Sequence, residues 1–287
     1  MKFRTELNPN SYPFQIAYDD HLMFIGSCFS DHIGTFFKNI KFPTLSNPFG
    51  VLFNPASIAL ALRIAINPEK FDEKYIHYFN DHWISFAHHG KFSHSDKNLF
   101  LKNISDKLDE THDFLLKADY LFVTFGTAYY YQHKQREIIV ANCHKIQGYE
   151  FEKKRLEIEE ITFDYNMLFQ EIRNLNPQLR IIFTVSPVRH LGDGFHENQL
   201  SKSILHLAID QLVDDTGIFY FPSYEIVHDD LRDYRFYAKD LCHPGEQAIE
   251  YVQEKVKSVF FSEETLEEIK SIEKSNKMER HIPLNGN

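Results

Sequence analysis

The chain has 287 residues, 43% hydrophobic and 25% charged, ordinary proportions for a soluble globular protein of one large or two small domains. Its 31 basic and 41 acidic side chains give a formal charge of −10, which excludes a nucleic-acid binder built on a broad basic face. Apolar stretches such as 58–66, interrupted by Arg63, fall short of the roughly 20 residues that span a bilayer, and residues 1–20 show no leader pattern, so a cytoplasmic protein without membrane contact is expected.

Residues 21–25 (His-Leu-Met-Phe-Ile) are a short apolar run ended by Gly26 and read as a buried strand. Ile33, Phe36 and Phe37 recur at helical spacing within 31–40. Asn54-Pro55 opens a helix over 56–66, with Asn as N-cap and Pro in the first turn. Residues 67–96, rich in His and aromatics but without a clear period, are predicted as a long loop with short pieces of structure, an insertion over one face. A helix follows over 95–117, where Leu99, Ile104, Leu108 and Leu115 recur roughly once per turn. Tyr120–Phe125 reads as a second buried strand and 127–141 as a β-hairpin. A long amphipathic helix is predicted over 151–175, stopped by Pro177, then a third buried strand at Arg180–Val185. Helix over 197–215, strand over 218–221 and helix over 244–260 complete the pattern. The charged end, 262–287, is expected as a tail outside a single domain of residues 1–261, helical in its first half and loose at its end.

Strands alternating with helices imply a parallel sheet covered on both faces, and ligands in such sheets bind beyond the carboxyl ends of the strands. Three small-residue turns fall there: Gly26-Ser27-Cys28, Gly126-Thr127-Ala128 and Ser186-Pro187-Val188. Cys28 stands at a helix start, where backbone N–H groups favour a thiolate or an oxyanion. The same position also suits a small buried cysteine. Only Cys28, Cys143 and Cys242 are present, too few and too far apart for a disulfide framework.

Asp240-Leu241-Cys242-His243-Pro244 places a His three residues after an Asp, so the carboxylate can orient one ring nitrogen and leave the other free as a base. Helix capping by Asp240 is the alternative. Cys143 and His144 are adjacent, as are His88 and His89; neighbours on an extended segment point apart, which argues against zinc. Arg189, in Ser186-Pro187-Val188-Arg189-His190, suits either a carboxylate or phosphate on a ligand or an internal acidic partner. No Walker loop and no Gly-x-Gly-x-x-Gly is present.

Phe24-Ile25-Gly26-Ser27-Cys28-Phe29-Ser30 closely resembles the signature for which the GSCFA family is named, a family placed with the SGNH (GDSL-like) hydrolases. Five further stretches resemble it in order: Asn47-Pro48-Phe49-Gly50 with Asn54-Pro55, Thr124 to Ala128, Ala141 to Lys145, Ser186 to His190, and Asp240 to Pro244. The resemblance implies an SGNH-hydrolase-like (flavodoxin-like) three-layer α/β/α sandwich with a parallel sheet. It implies Cys28 at the nucleophile position, with Ser27 as the alternative if the turn is shifted, and Asp240 and His243 as the closing Asp-x-x-His motif. Gly50 matches a backbone oxyanion donor. Ala128 stands where the family pattern of SGNH enzymes has an Asn donor, leaving Thr127, Asn47 or Asn142 as candidates for that role. Asn47, Gly50, Gly126, Thr127, Asn142, His144 and Arg189 are expected to line one crevice with Cys28. The implied activity is an esterase or acyl hydrolase acting, without metal or organic cofactor, on small esters or acylated glycans. A binding protein that lost hydrolysis is the alternative from another class.

Overall fold

The computed structural model describes residues 4–214 and 216–281. Its first element shows why short apolar runs become central strands here: all five residues of β1 (Leu22–Gly26) are buried. Their side chains alternate, Leu22 and Phe24 facing one core and Met23 and Ile25 the other. α1 (Cys28–Asn39) follows at once, then the short strand β2 (Thr44–Ser46). In α2 (Pro55–Ile66) the Asn54 side chain accepts the Ser57 N–H at 2.8 Å, the cap expected from Asn-Pro.

The short pieces of structure expected within 67–96 are present. The stretch holds an antiparallel hairpin, β3 (Ile76–Phe79) and β4 (His82–Ser85), turned by Asn80 and Asp81 at positive φ, a turn that short polar side chains tolerate. α3 (Lys97–Lys117) and β5 (Tyr120–Phe125) come next, followed by β6 (Tyr129–His133) and β7 (Ile138–Val140). The helix expected over 151–175 begins later. Residues Phe151–Arg155 are β8, which pairs antiparallel with β6 in a three-stranded sheet. A capping box between Glu157 and Glu160 sets the start of α4 (Ile158–Leu175). Tertiary pairing with β6 thus overrides the helical period carried back through 151–155.

β9 (Arg180–Val185), α5 (Phe195–Leu212) and β10 (Ile218–Tyr220) follow. α5 stops short of the predicted end at Asp215, which lies outside the described residues. A turn of α6 (Ser223–Glu225) runs into a π-helix at Ile226–Leu231, and α7 (Glu246–Phe260) and α8 (Glu263–His281) close the chain. The predicted tail is therefore helical for most of its length, with Ile269 buried against the body. Its expected loose end, 282–287, lies outside the described residues.

The main sheet has the order β10-β9-β5-β1-β2, with every pairing parallel. α2 to α5 pack on one face around Ile58, Ile104, Leu168 and Leu205, while α1 and α7 pack on the other around Phe37, Val252 and Phe260. The result is the expected three-layer α/β/α sandwich. Counting only its own strands, the sheet reads 2-1-3-4-5, and the order reverses between β1 and β5. That reversal opens a crevice beyond their carboxyl ends, and both glycine turns sit there.

Candidate active site

The turn after β1 is clamped by backbone geometry. Gly26 has φ +141°, and a Cβ there would lie 2.2 Å from the Thr124 carbonyl oxygen, so only glycine lets β1 end against β5 in this way. The Gly26 N–H donates to Asn47 Oδ1 at 2.8 Å, and the Leu52 N–H to the Gly26 carbonyl at 2.9 Å. Asn47 in turn donates through Nδ2 to Asp31 at 2.7 Å. Ser27 is the N-cap of α1, fully buried, and its hydroxyl finds no hydrogen-bond partner. Cys28, the first helical residue, instead opens onto a cleft of about 610 Å³.

His243 lines the same cleft. Its Nδ1 lies 2.6 Å from Asp240 Oδ2, while Asp240 Oδ1 accepts the backbone N–H groups of Cys242 and His243 at 2.9 and 3.0 Å. These bonds hold the Asp240 carboxyl at a pKa of about 2, the backbone donors acting most strongly, so it stays ionised to receive Nδ1–H. Nε2 of His243 is left for the cleft. Burial pushes the Cys28 thiol above its ordinary value, opposed by helix-start N–H groups and by Lys202. The thiol is therefore protonated at neutral pH and needs a base to become a nucleophile. Aromatic rings contribute to the lining, Tyr129 and Tyr131 from β6 together with Phe53, as does an ion pair of Lys153 with Asp193.

The remaining expected residues divide. Thr127 and Asn142 line the cleft. Gly126 packs between His190 and the Ser27 turn, where a Cβ would lie 3.2 Å from His190 Nε2 and 3.3 Å from Ser27 Cβ. Asn47 is a buried brace rather than a wall, and the Gly50 N–H is occupied by the Asn47 carbonyl at 2.8 Å, so it is not free as an oxyanion donor. His144 is turned away: its Nε2 donates to the Ser85 carbonyl at 2.7 Å, and burial lowers its pKa. Arg189 enters a separate hollow beside Tyr224, His228 and Arg232. Asn47, Gly50 and His144 thus serve the scaffold, where their polar groups hold loops together, and Arg189 belongs to another surface. Among the described residues no three His, Cys, Asp or Glu side chains gather as a metal set, and no helix is long and apolar enough to cross a membrane.

A family model described as the GSCFA family matches residues 21–256. The chain belongs to the GSCFA family. No curated protein matches this GSCFA chain. Among solved structures it is similar to a carbohydrate esterase of family 3 from Talaromyces cellulolyticus, at 10% identity and a TM-score of 0.29, over 54% of this chain and 60% of that one. The match thus covers less than two thirds of that chain.

Sequence reasoning gave no role to the residues that α5 brings to the candidate site, although Asn198 to Lys202 follow the Ser186–His190 motif. Asn198 accepts the His190 N–H at 2.8 Å, and Ser201 Oγ accepts the Ala128 N–H at 2.7 Å. Lys202, fully buried, donates to the carbonyls of Gly126 and Ser186 at 2.6 and 2.7 Å. Burial lowers the Lys202 pKa to about 7. A signal existed: 198, 201 and 202 continue, at helical spacing, the buried stripe of Leu205, Ala208, Ile209 and Leu212. Polar residues in register with an apolar stripe mark a helix end that faces loops instead of core.

Proposed function

We propose that this GSCFA protein is an ester hydrolase whose nucleophile is Cys28, with His243 as base and Asp240 as its orienting partner. The observation that carries the reading is that Cys28 and a carboxylate-held His243 line one cleft at the switch point of the sheet. Nε2 of His243 takes the thiol proton as sulfur bonds to the ester carbonyl carbon, and the carbonyl π pair moves onto oxygen. Collapse of that adduct restores the carbonyl and expels the alcohol, which receives the proton from His243. Water, deprotonated by the same nitrogen, then attacks the thioester, releasing the acid and the thiol. The Cys28 N–H, at the start of α1, faces the developing oxyanion.

The reading makes the protein an SGNH-like hydrolase. The nucleophile turn after β1 and the Asp-x-x-His loop before α7 support that kinship. Ser27 is disfavoured as nucleophile because, unlike Cys28 and His243, it does not line the cleft. An ester of a small alcohol or glycan suits the cleft, since the rings of Tyr129 and Tyr131 offer flat faces beside a charged pair.

The test is hydrolysis of an aryl acetate. C28A and H243A should each lower kcat by about 10⁴-fold or more, and the double variant should be little worse, because nucleophile and base act as a unit. Rapid alkylation of Cys28 by iodoacetamide should slow in H243A. Wild-type protein with no turnover and an unreactive Cys28 would instead identify a binding protein.

A further inference from the structure

An oxyanion formed on an acyl group at Cys28 needs more than one donor. Most N–H groups around the turn are already committed. Those of Gly126 and Thr127 both donate to the Phe53 carbonyl, at 2.8 and 2.9 Å. The Gly50 N–H is held by the Asn47 carbonyl and the Ala128 N–H by Ser201. The Thr127 hydroxyl is tied up with Ser201 Oγ at 3.1 Å.

Among the described side chains that line the cleft, one carries a buried polar atom without a hydrogen-bond partner. His190 Nε2 is buried without a hydrogen-bond partner, a state costly enough to require a reason. A Cβ on Gly126 would lie 3.2 Å from His190 Nε2 and 3.3 Å from Ser27 Cβ. The imidazole edge therefore meets the nucleophile turn across the bare glycine, in the cleft that Cys28 and His243 share. The ring is set by Phe53, edge to face at 5.6 Å, and by the Asn198 bond to the His190 N–H. We propose that His190 is an oxyanion donor, its Nε2–H hydrogen-bonding the carbonyl oxygen of the acyl group that Cys28 attacks. This assignment rests on the Cys28 hydrolase reading. Burial, aided by Lys202 and His243, lowers the His190 pKa to about 4. The ring is thus neutral at the working pH, with a single N–H to offer and no proton to compete with the base. The second observation that favours a donor over a second base is that the Asp240 carboxylate holds His243 and not His190.

The experiment compares His190→Ala and His190→Gln in the intact chain by two reactions of Cys28. Aryl acetate hydrolysis passes through an oxyanion; alkylation by iodoacetamide does not. His190→Ala should lower kcat by about 10²–10³-fold with KM little changed, while alkylation stays within about threefold of wild type. His190→Gln, which can donate an N–H but cannot act as a base, should recover part of the lost kcat. A His190→Ala protein that keeps its kcat, or in which alkylation falls in step with hydrolysis, overturns the donor. So does a His190→Gln no better than His190→Ala. Wild-type protein without ester turnover overturns the hydrolase reading itself and takes the donor with it; turnover in wild type keeps the two failures apart.

Discussion

The two halves of the candidate site are built in opposite ways. The nucleophile turn is fixed from afar: Asn47, Leu52, Thr124 and, beneath Gly126, Lys202 reach it from separate elements, and its polar groups are buried. The histidine loop is fixed from within: Asp240 collects three bonds from residues two and three positions away, and both members of the pair are about half exposed. One long-range bond, from the Arg189 N–H to the Cys242 carbonyl at 3.1 Å, ties that loop to the sheet. In the proposed reading, a braced Cys28 turn and a locally organised His243 loop share one cleft. Damage to the braces around the first half should therefore show as lost stability, and damage to the second half as lost turnover.

The largest effect expected from that division is in the histidine loop. Asp240→Asn keeps an oxygen for the backbone donors but removes the charge that holds Nδ1–H and stabilises the imidazolium. A drop in kcat approaching 10⁴-fold is expected, with the urea midpoint of unfolding unmoved. A clear loss of folding with unchanged turnover would invert the comparison.

Lys202 carries the largest effect on the other side. Lys202→Met leaves the Gly126 and Ser186 carbonyls without their donor, and a loss of about 3 kcal/mol at neutral pH is expected from urea unfolding. The deficit should also depend on pH. The folded pKa is about 7 against an ordinary 10.5, so above pH 7 the unfolded chain holds a proton that the folded one has shed. Wild-type stability therefore gains with rising pH through this group, and the gap to Lys202→Met should widen from pH 7 to pH 9. A gap of constant size would mean that the ammonium is not strained by burial. Asn47→Ala should cost less, about 1–3 kcal/mol, by stranding the buried Gly26 N–H. If it lowers kcat without touching the midpoint, Asn47 belongs to the chemistry after all.

The same division decides what could be read from sequence. Asp240 and His243 are three residues apart, and a local bond leaves a local pattern. Cys28 was legible because a glycine stop, a small-residue turn and a helix start are contiguous. The sandwich followed from apolar runs alternating with amphipathic stretches, and the family motifs in order reinforced it. The braces were not legible: nothing near Lys202 in the chain announces that its ammonium will find two carbonyls 76 and 16 residues away. β8 was misread for a related reason, since its pairing with β6 is invisible to a helical-period count. Asn47, Gly50 and His144 were expected on the cleft wall, and the structure engages their polar groups with the surrounding loops. A polar residue in a turn marks a fixed backbone as readily as a binding group, and only its partners distinguish the two.

His144 offers the finest test of that last distinction. It sits in a motif with Asn142 and Cys143, both on the cleft wall, but its own ring turns back to the Ser85 carbonyl, and its N–H is capped by Asn142 Oδ1 at 2.8 Å. With φ +49° it occupies the left-handed region, so the ring bond also holds a backbone turn that is unfavourable for most residues. His144→Ala should therefore cost about 0.5–1.5 kcal/mol, the worth of one hydrogen bond, and leave kcat and KM near wild type. Burial lowers the folded pKa of this ring below its ordinary 6.5. As pH falls through 6.5 the unfolded chain takes up a proton that the folded ring resists, and the wild type loses part of the stability that His144 confers. The difference between the two proteins should thus shrink from pH 7 to pH 5 in urea titrations. A His144→Ala protein of native stability but raised KM would return this residue to the cleft and show that the Ser85 bond opens when substrate binds.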